Sequence, residues 1–432
     1  LFFFKLNTAF PIRLSLVGSE MCIRDRSSAY HAFVASDDSF EEDNPFGGLP
    51  FFGDLGKLFN HGGPIAWDVA RQFAYQIATE GEAEPNVDPL DRVKLNELAR
   101  VAELRVADIT SLGAGFSDQA VSITATTRSE WASKTLDAYQ PLLERLAGRL
   151  AKGTESTDVT EPEMQMLDGL MRAMNPMMMA MSAGSIAGHL ATKAFGNYEL
   201  PIPRPNAQLL VVIANVDLFA SEWSLPRDDV WLWVCINELA TQSVMNVTHV
   251  RNEFDRLLNG YVDGFETSPQ GLENRFMDLD IGSGDPAELQ AKLQNALSDP
   301  ENLLGAVRSD AQSALIPDLN ALLGVVVGYV DYVVEKVSRQ LLESYESLSE
   351  VAKRRRFSAS PGDRFVEKLL GVEVTPELLT RGTEFISGVI DRAGESALSR
   401  LWTESDALPT PNELDAPGLW LARIDLPNLD SD

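Results

Sequence analysis

Glu238 is the residue of this chain best placed to do chemistry. It lies in the window Ser224 to Val250, SLPRDDVWLWVCINELATQSVMNVTHV, directly after Asn237 and three residues before Thr241. The window predicts a helix over 224–246: Pro226 suits a first turn, and Asp228 and Asp229 favour its positive end. Trp231, Val234 and Leu239 predict that most of it is buried. A buried helix carrying Asn237, Glu238 and Thr241 needs an explanation, because unpaired polar groups inside a protein are costly. Residues 237 and 241 are four apart and share one helix face, so a carboxyl able to act as acid or base stands beside two neutral oxygens.

With histidines at 237 and 241 the spacing would be H-E-x-x-H, in which two imidazoles hold one zinc and the glutamate polarises a water. Asn and Thr are poor zinc donors beside imidazole or thiolate, and by itself N-E-x-x-T says little. Other candidates are weaker. His249 is a poor substitute ligand, and Asp331 and Glu335 read as a solvated face of an apolar helix. The basic run Lys353 to Arg356 reads as a solvated helix end. His189 reads as a core histidine, Cys235 as a buried small side chain, and the methionine-rich stretch 164–181 as adaptable core packing rather than a copper or lipid site. Asn246-Val-Thr248 matches a glycosylation sequon to which little weight attaches. No phosphate-binding glycine loop and no nucleophile elbow is present.

The 432 residues suffice for two or three domains or one long helical unit. At 44% hydrophobic the chain can build a sizeable core. A net charge of −28 repels phosphate backbones, so nucleic acid is not an expected partner. Two cysteines, Cys22 and Cys235, exclude a disulfide framework and suit a reducing, cytoplasmic setting. No apolar run of about 18 residues is evident, so no transmembrane segment is expected.

Residues 1–28 do not read as a signal peptide, since Arg13, Arg24 and Arg26 follow the apolar start instead of preceding it. Ser15 to Arg26 resembles a translated sequencing adapter, which makes 1–28 a non-native segment. Residues 29–63 form an irregular arm, acidic and then rich in Gly, Pro and Phe. A helical region follows at 64–205, a second at 206–426, and a tail at 427–432. Val69, Phe73 and Ile77 recur at helical spacing from Pro64, with a break at Pro85 and Pro89. Further helices are expected over 90–112, 128–151, 161–197 with a kink or division at Pro176, 207–222, 248–265, from Asp285-Pro286, 318–341, 361–371 and 375–402. Residues 119–126 read as a short strand or a connector, and 198–206 as an extended linker. The fold class is mostly α.

Four stretches carry a family resemblance: Phe195-Gly-Asn-Tyr-Glu-Leu-Pro-Ile-Pro203, Val230 to Ala240, Leu322 to Asp331, and Lys353 to Arg356 with Phe365 to Gly371. Together they resemble the zincin-like hydrolases of actinobacteria, a zinc-dependent metalloprotease family of which some members are associated with deazaflavin-coenzyme biosynthesis. The similarity runs from about Pro45 to Leu426. It implies a multi-helix zincin-like domain whose long buried helix carries the metal motif. Carried across, Asn237 and Thr241 stand where the two zinc histidines would be, and Glu238 keeps the place of the catalytic glutamate. Val327 stands at a possible third-ligand position. The implied function is that of a catalytically degenerate zincin-like protein that needs no cofactor and acts by binding or structure on a protein or peptide. The alternative is an active metal-dependent hydrolase or peptidase that holds zinc through other ligands.

Overall fold

The structure is a computed structural model that describes residues 63–113, 121–153, 162–205, 208–265, 309–357 and 361–425. Residues 1–28, read from the sequence as a non-native segment, nearly all of the arm 29–63, the expected helix from Asp285 and the tail 427–432 lie outside the described residues. What is described is mostly helical.

Local chemistry sets the helix ends. α1 spans Trp67–Ala78 and α2 Pro89–Thr110. The Asp88 carboxylate accepts the Leu90 N–H at 2.8 Å, and Pro89 opens α2 without losing a needed donor. β1 is Ser122–Thr126, followed by α3 (Arg128–Gly153) and α4 (Pro162–Ala191). A single 3-10 turn over Asn197–Glu199 leads to β2, Gln208–Val212. Then come α5 (Ile213–Glu222), α6 (Arg227–Met245) and α7 (Thr248–Asp263). α8, Asp310–Leu341, starts from a capping box made by Ser309 and Gln312. The remaining helices are α9 (Tyr345–Phe357), α10 (Pro361–Leu370), α11 (Pro376–Ala393), α12 (Arg400–Thr403), α13 (Pro411–Leu414) and α14 (Pro417–Asp425).

Two expectations are corrected and a third, a kink or division at Pro176, is narrowed. Residues 208–212, read as the start of a helix, form β2, which pairs in parallel with β1 (Ile123 opposite Leu209, Thr126 opposite Val212). A helix expected without a break over 375–402 stops at Gly394, whose φ of +80° ends α11 before a short 3-10 turn. Pro176 does not divide α4, which runs through it.

α6 and α8 form the centre. Trp231, Ile236, Leu239, Leu319, Val325 and Val333 are almost wholly buried. Small residues allow the closest helix pairs. A Cβ on Gly188 would lie 2.7 Å from Ile77 Cβ of α1, and one on Gly328 of α8 would lie 2.5 Å from the Gly382 carbonyl carbon of α11. The methionines of α4 behave otherwise: Met174 is exposed and Met177 to Met179 are half-buried, so they line the rim of the core. α8 also contains a stretch long and apolar enough to cross a membrane, which the sequence reading passed over; more than half of that stretch is buried against other helices.

Candidate functional site

α6 brings Glu238 to the middle of the molecule with 2% of its surface exposed. Its carboxyl turns towards the segment 195–198 and accepts two backbone donors, the Asn197 N–H at 2.8 Å and the Tyr198 N–H at 3.3 Å. These are the leading donors of the 3-10 turn, so the carboxyl acts as a cap delivered from a different helix. Burial pushes the Glu238 carboxyl up to about 8, against the opposing pull of those two N–H groups and of Arg204. The group is therefore mostly protonated at neutral pH.

The segment is held on every side. The Trp131 indole donates to Gly196 O at 2.9 Å. The Asn197 carboxamide donates to Gln208 O at 2.8 Å and accepts the Leu210 N–H at 3.1 Å, while Phe195 O accepts the Val212 N–H at 2.9 Å. Arg204 is buried, donates to Asn197 O at 2.8 Å and to Thr135 Oγ1 at 3.3 Å, and lays its guanidinium 4.5 Å from the Tyr139 ring centre. The Tyr198 hydroxyl donates to Gln242 Oε1 on α6, one turn beyond Glu238.

α6 and the 195–201 segment border a cleft of about 1110 Å³ that is also lined by α5, α8, α9 and α11. Asn237, Glu238, Thr241 and Val327 all line it, so the four positions singled out in the sequence share one wall-and-floor region. Their side chains differ in what they present. The Thr241 hydroxyl donates back to Asn237 O at 2.8 Å within α6. Asn237 is half-buried, and Val327 contributes methyl groups only. Leu218 of α5 and Trp223 just after it form an exposed apolar lip, and Trp233 stands edge-on to Phe195 behind it.

The ionic part of the cleft was not foreseen. Arg355 pairs with Glu199 at 3.0 Å and lies 3.7 Å from the Phe195 ring centre, and Arg356 grips Asp331 through two bonds of 2.9 and 3.1 Å. So Arg355 and Arg356 do not belong to a solvated helix end, whereas Lys353 and Arg354 are exposed as expected, and Asp331 is not on a solvated face; the charge of Asp331 raises the Arg356 guanidinium against burial, which lowers it. Glu335 does remain outward, paired with Arg339. His249 bonds to Leu401 O at 2.9 Å, away from the cleft lining. His189, read as a core histidine, is exposed. Cys235 is buried as expected, and burial pushes its thiol up.

A family model described as zincin-like metallopeptidase matches residues 65–421. The chain belongs to the zincin-like metallopeptidase family. No curated protein matches it. Among solved structures it is similar to the crystal structure of "a putative hydrolase with a novel fold" from Chloroflexus aurantiacus, at 20% identity and a TM-score of 0.53, covering 84% of this chain and 99% of that one. That likeness is one of fold. Among the described residues of this zincin-like chain, no three His, Cys, Asp or Glu side chains come together as a metal-holding group.

The residues that hold Glu238 were not found from the sequence. Gly196, Asn197 and Tyr198 were quoted only for family likeness, and Arg204 only as part of a linker. One signal was present: a glycine followed by an asparagine just before a proline-rich run marks a tight, side-chain-capped turn.

Proposed function

We propose that this zincin-like protein has left zinc chemistry and acts by binding a protein or peptide segment in the cleft below α6. One observation carries the reading: the Glu238 carboxyl, in the place of a catalytic glutamate, is committed to the Asn197 and Tyr198 N–H groups. A general base must be ionised as well as aimed at its water, and burial drives this carboxyl towards its neutral form while the two N–H groups fix its direction. The surrounding donors agree with this. An amide, a hydroxyl already bonded to its own helix and a valine do not fit zinc, which takes three or four imidazole, thiolate or carboxylate donors. What the cleft retains is a concave surface with an apolar lip at Leu218 and Trp223 and fixed ion pairs at Glu199–Arg355 and Asp331–Arg356, the mixture that a polypeptide ligand uses.

The test is metal analysis of full-length protein purified without chelator, together with a peptidase assay on unfolded protein substrates. Far less than one zinc per chain and no cleavage are expected. One zinc per chain that disappears in Glu238→Ala, with peptide cleavage lost alongside it, overturns the reading in favour of an active hydrolase.

A further inference from the structure

α2 is apolar on two opposite faces. Leu95, Ala99, Ala102 and Val106 are buried and pack towards α6 and β1. Turned away from them are Leu90, Val93, Val101 and Leu104, exposed to 76, 57, 42 and 68%. At 100° per residue these four and Glu97 fall within one narrow stripe opposite the buried face. Four large apolar side chains in line on one helix are more than the scattered exposure a soluble surface ordinarily shows.

The order within the stripe decides what covers it. From Leu90 the steps to Val93, Glu97, Val101 and Leu104 are three, four, four and three residues. The pattern Leu, Val, Glu, Val, Leu reads the same from both ends. Its flanks do too, since Lys94 and Arg100 stand three residues either side of Glu97. A palindrome along a helix is what a two-fold axis requires, because residue i then meets j while j meets i. We propose that the outer face of α2 binds α2 of a second copy of this chain, antiparallel, with the axis at Glu97. Leu90 then packs on Leu104 of the other copy, and Val93 on Val101, along a seam of about 21 Å at 1.5 Å per residue.

Charge agrees with a self-match. The chain carries a net −28, which opposes contact between copies over most of its surface. Along α2 acidic and basic residues balance four against four. At the axis the two Glu97 carboxylates are bracketed by Arg100 of the opposite helix, so each copy supplies one half of two identical ion pairs. Lys94 is already held by Asp228 of its own chain. A cationic partner would call for an acidic face, and this face is neutral. No residue of α2 lines the cleft, so the proposal stands apart from the function assigned to that cleft.

The test is sedimentation velocity on the full chain from about 1 to about 200 µM, the range in which a small helix-pair interface associates. A reversible monomer–dimer equilibrium is expected. Leu90→Glu with Leu104→Glu should weaken it about 100-fold while the melting temperature stays within error, since both side chains are exposed. Arg100→Glu should weaken it about tenfold, and adding Glu97→Arg should restore it by rebuilding the ion pairs in reverse. A chain that stays monomeric throughout that range overturns the proposal. So does a dimer that survives the double leucine variant, or a charge swap that fails to restore association.

Discussion

Gly196 leaves open the volume that the Glu238 carboxyl fills: a Cβ built on Gly196 would overlap the carboxyl carbon and both its oxygens. The backbone of Gly196 is ordinary extended chain, so its role is clearance and not conformational freedom. Removing that clearance should push Glu238 out of bonding range of Asn197. Gly196→Ala is expected to lower stability by about 1–3 kcal/mol, the usual cost of overpacking a filled interior. Urea denaturation measures this, and an unchanged midpoint with native circular dichroism would show that the contact is loose.

The raised Glu238 carboxyl links stability to pH with a definite sign. The native group holds its proton up to about 8, whereas the unfolded one releases it near 4.5. Native protein therefore binds more protons between those values, so this contribution is complete below about 4.5 and is lost as pH rises through about 8. Glu238→Gln keeps the acceptor oxygen and cannot ionise. The stability of wild type relative to Glu238→Gln should fall by about 1.4 kcal/mol per pH unit across that window and level off above it. Urea midpoints at several pH values read the difference. A difference independent of pH contradicts a protonated Glu238.

Arg204 should matter more than a single buried hydrogen bond. Its guanidinium serves Asn197 O and Thr135 Oγ1 together and stacks near Tyr139. Arg204→Ala is expected to cost about 2–4 kcal/mol through lost packing and an orphaned Asn197 carbonyl. Arg204→Lys should recover less than half, because one ammonium cannot span both acceptors. Full recovery by lysine would reduce the role to charge alone.

Asn237, Thr241 and Val327 line one cleft from two facing helices, so ligands put back there should converge. Asn237→His with Thr241→His and Val327→Glu is expected to take up one zinc per chain, with wild type far below that. Isothermal titration with zinc reads it. No gain in affinity would mean that the facing helices lie too far apart for one metal ion.

Much of the helical framework was legible because its signals are local. Asp88 and Pro89 mark the start of α2 within two residues, and the apolar run after Leu319 marks α8 without outside help. β2 was hidden because Gln208–Val212 runs straight into Ile213 of α5 with no break, and its partner β1 lies more than 80 residues earlier. The position of Glu238 was readable from its motif. Its commitment was not, since the N–H groups it accepts come from about 40 residues upstream. Arg355 and Arg356 read as solvated for the same reason: Glu199 and Asp331, which face them, come from a turn and a helix that only folding brings near.

β2 has two edges. One is taken by β1, and along the other Asn197 and Phe195 take up Gln208 O and the Leu210 and Val212 N–H groups. The asparagine side chain stands in for one residue of a third strand. No residue of β2 lines the cleft, and with these groups taken β2 offers little ladder for strand addition to the peptide ligand proposed above. On the function proposed above, recognition would fall to side chains, to the apolar lip and the two arginine–carboxylate pairs. A site of that kind selects for the shape and charge of the surface presented to it, so a helix or a folded loop is as admissible a ligand as an extended chain.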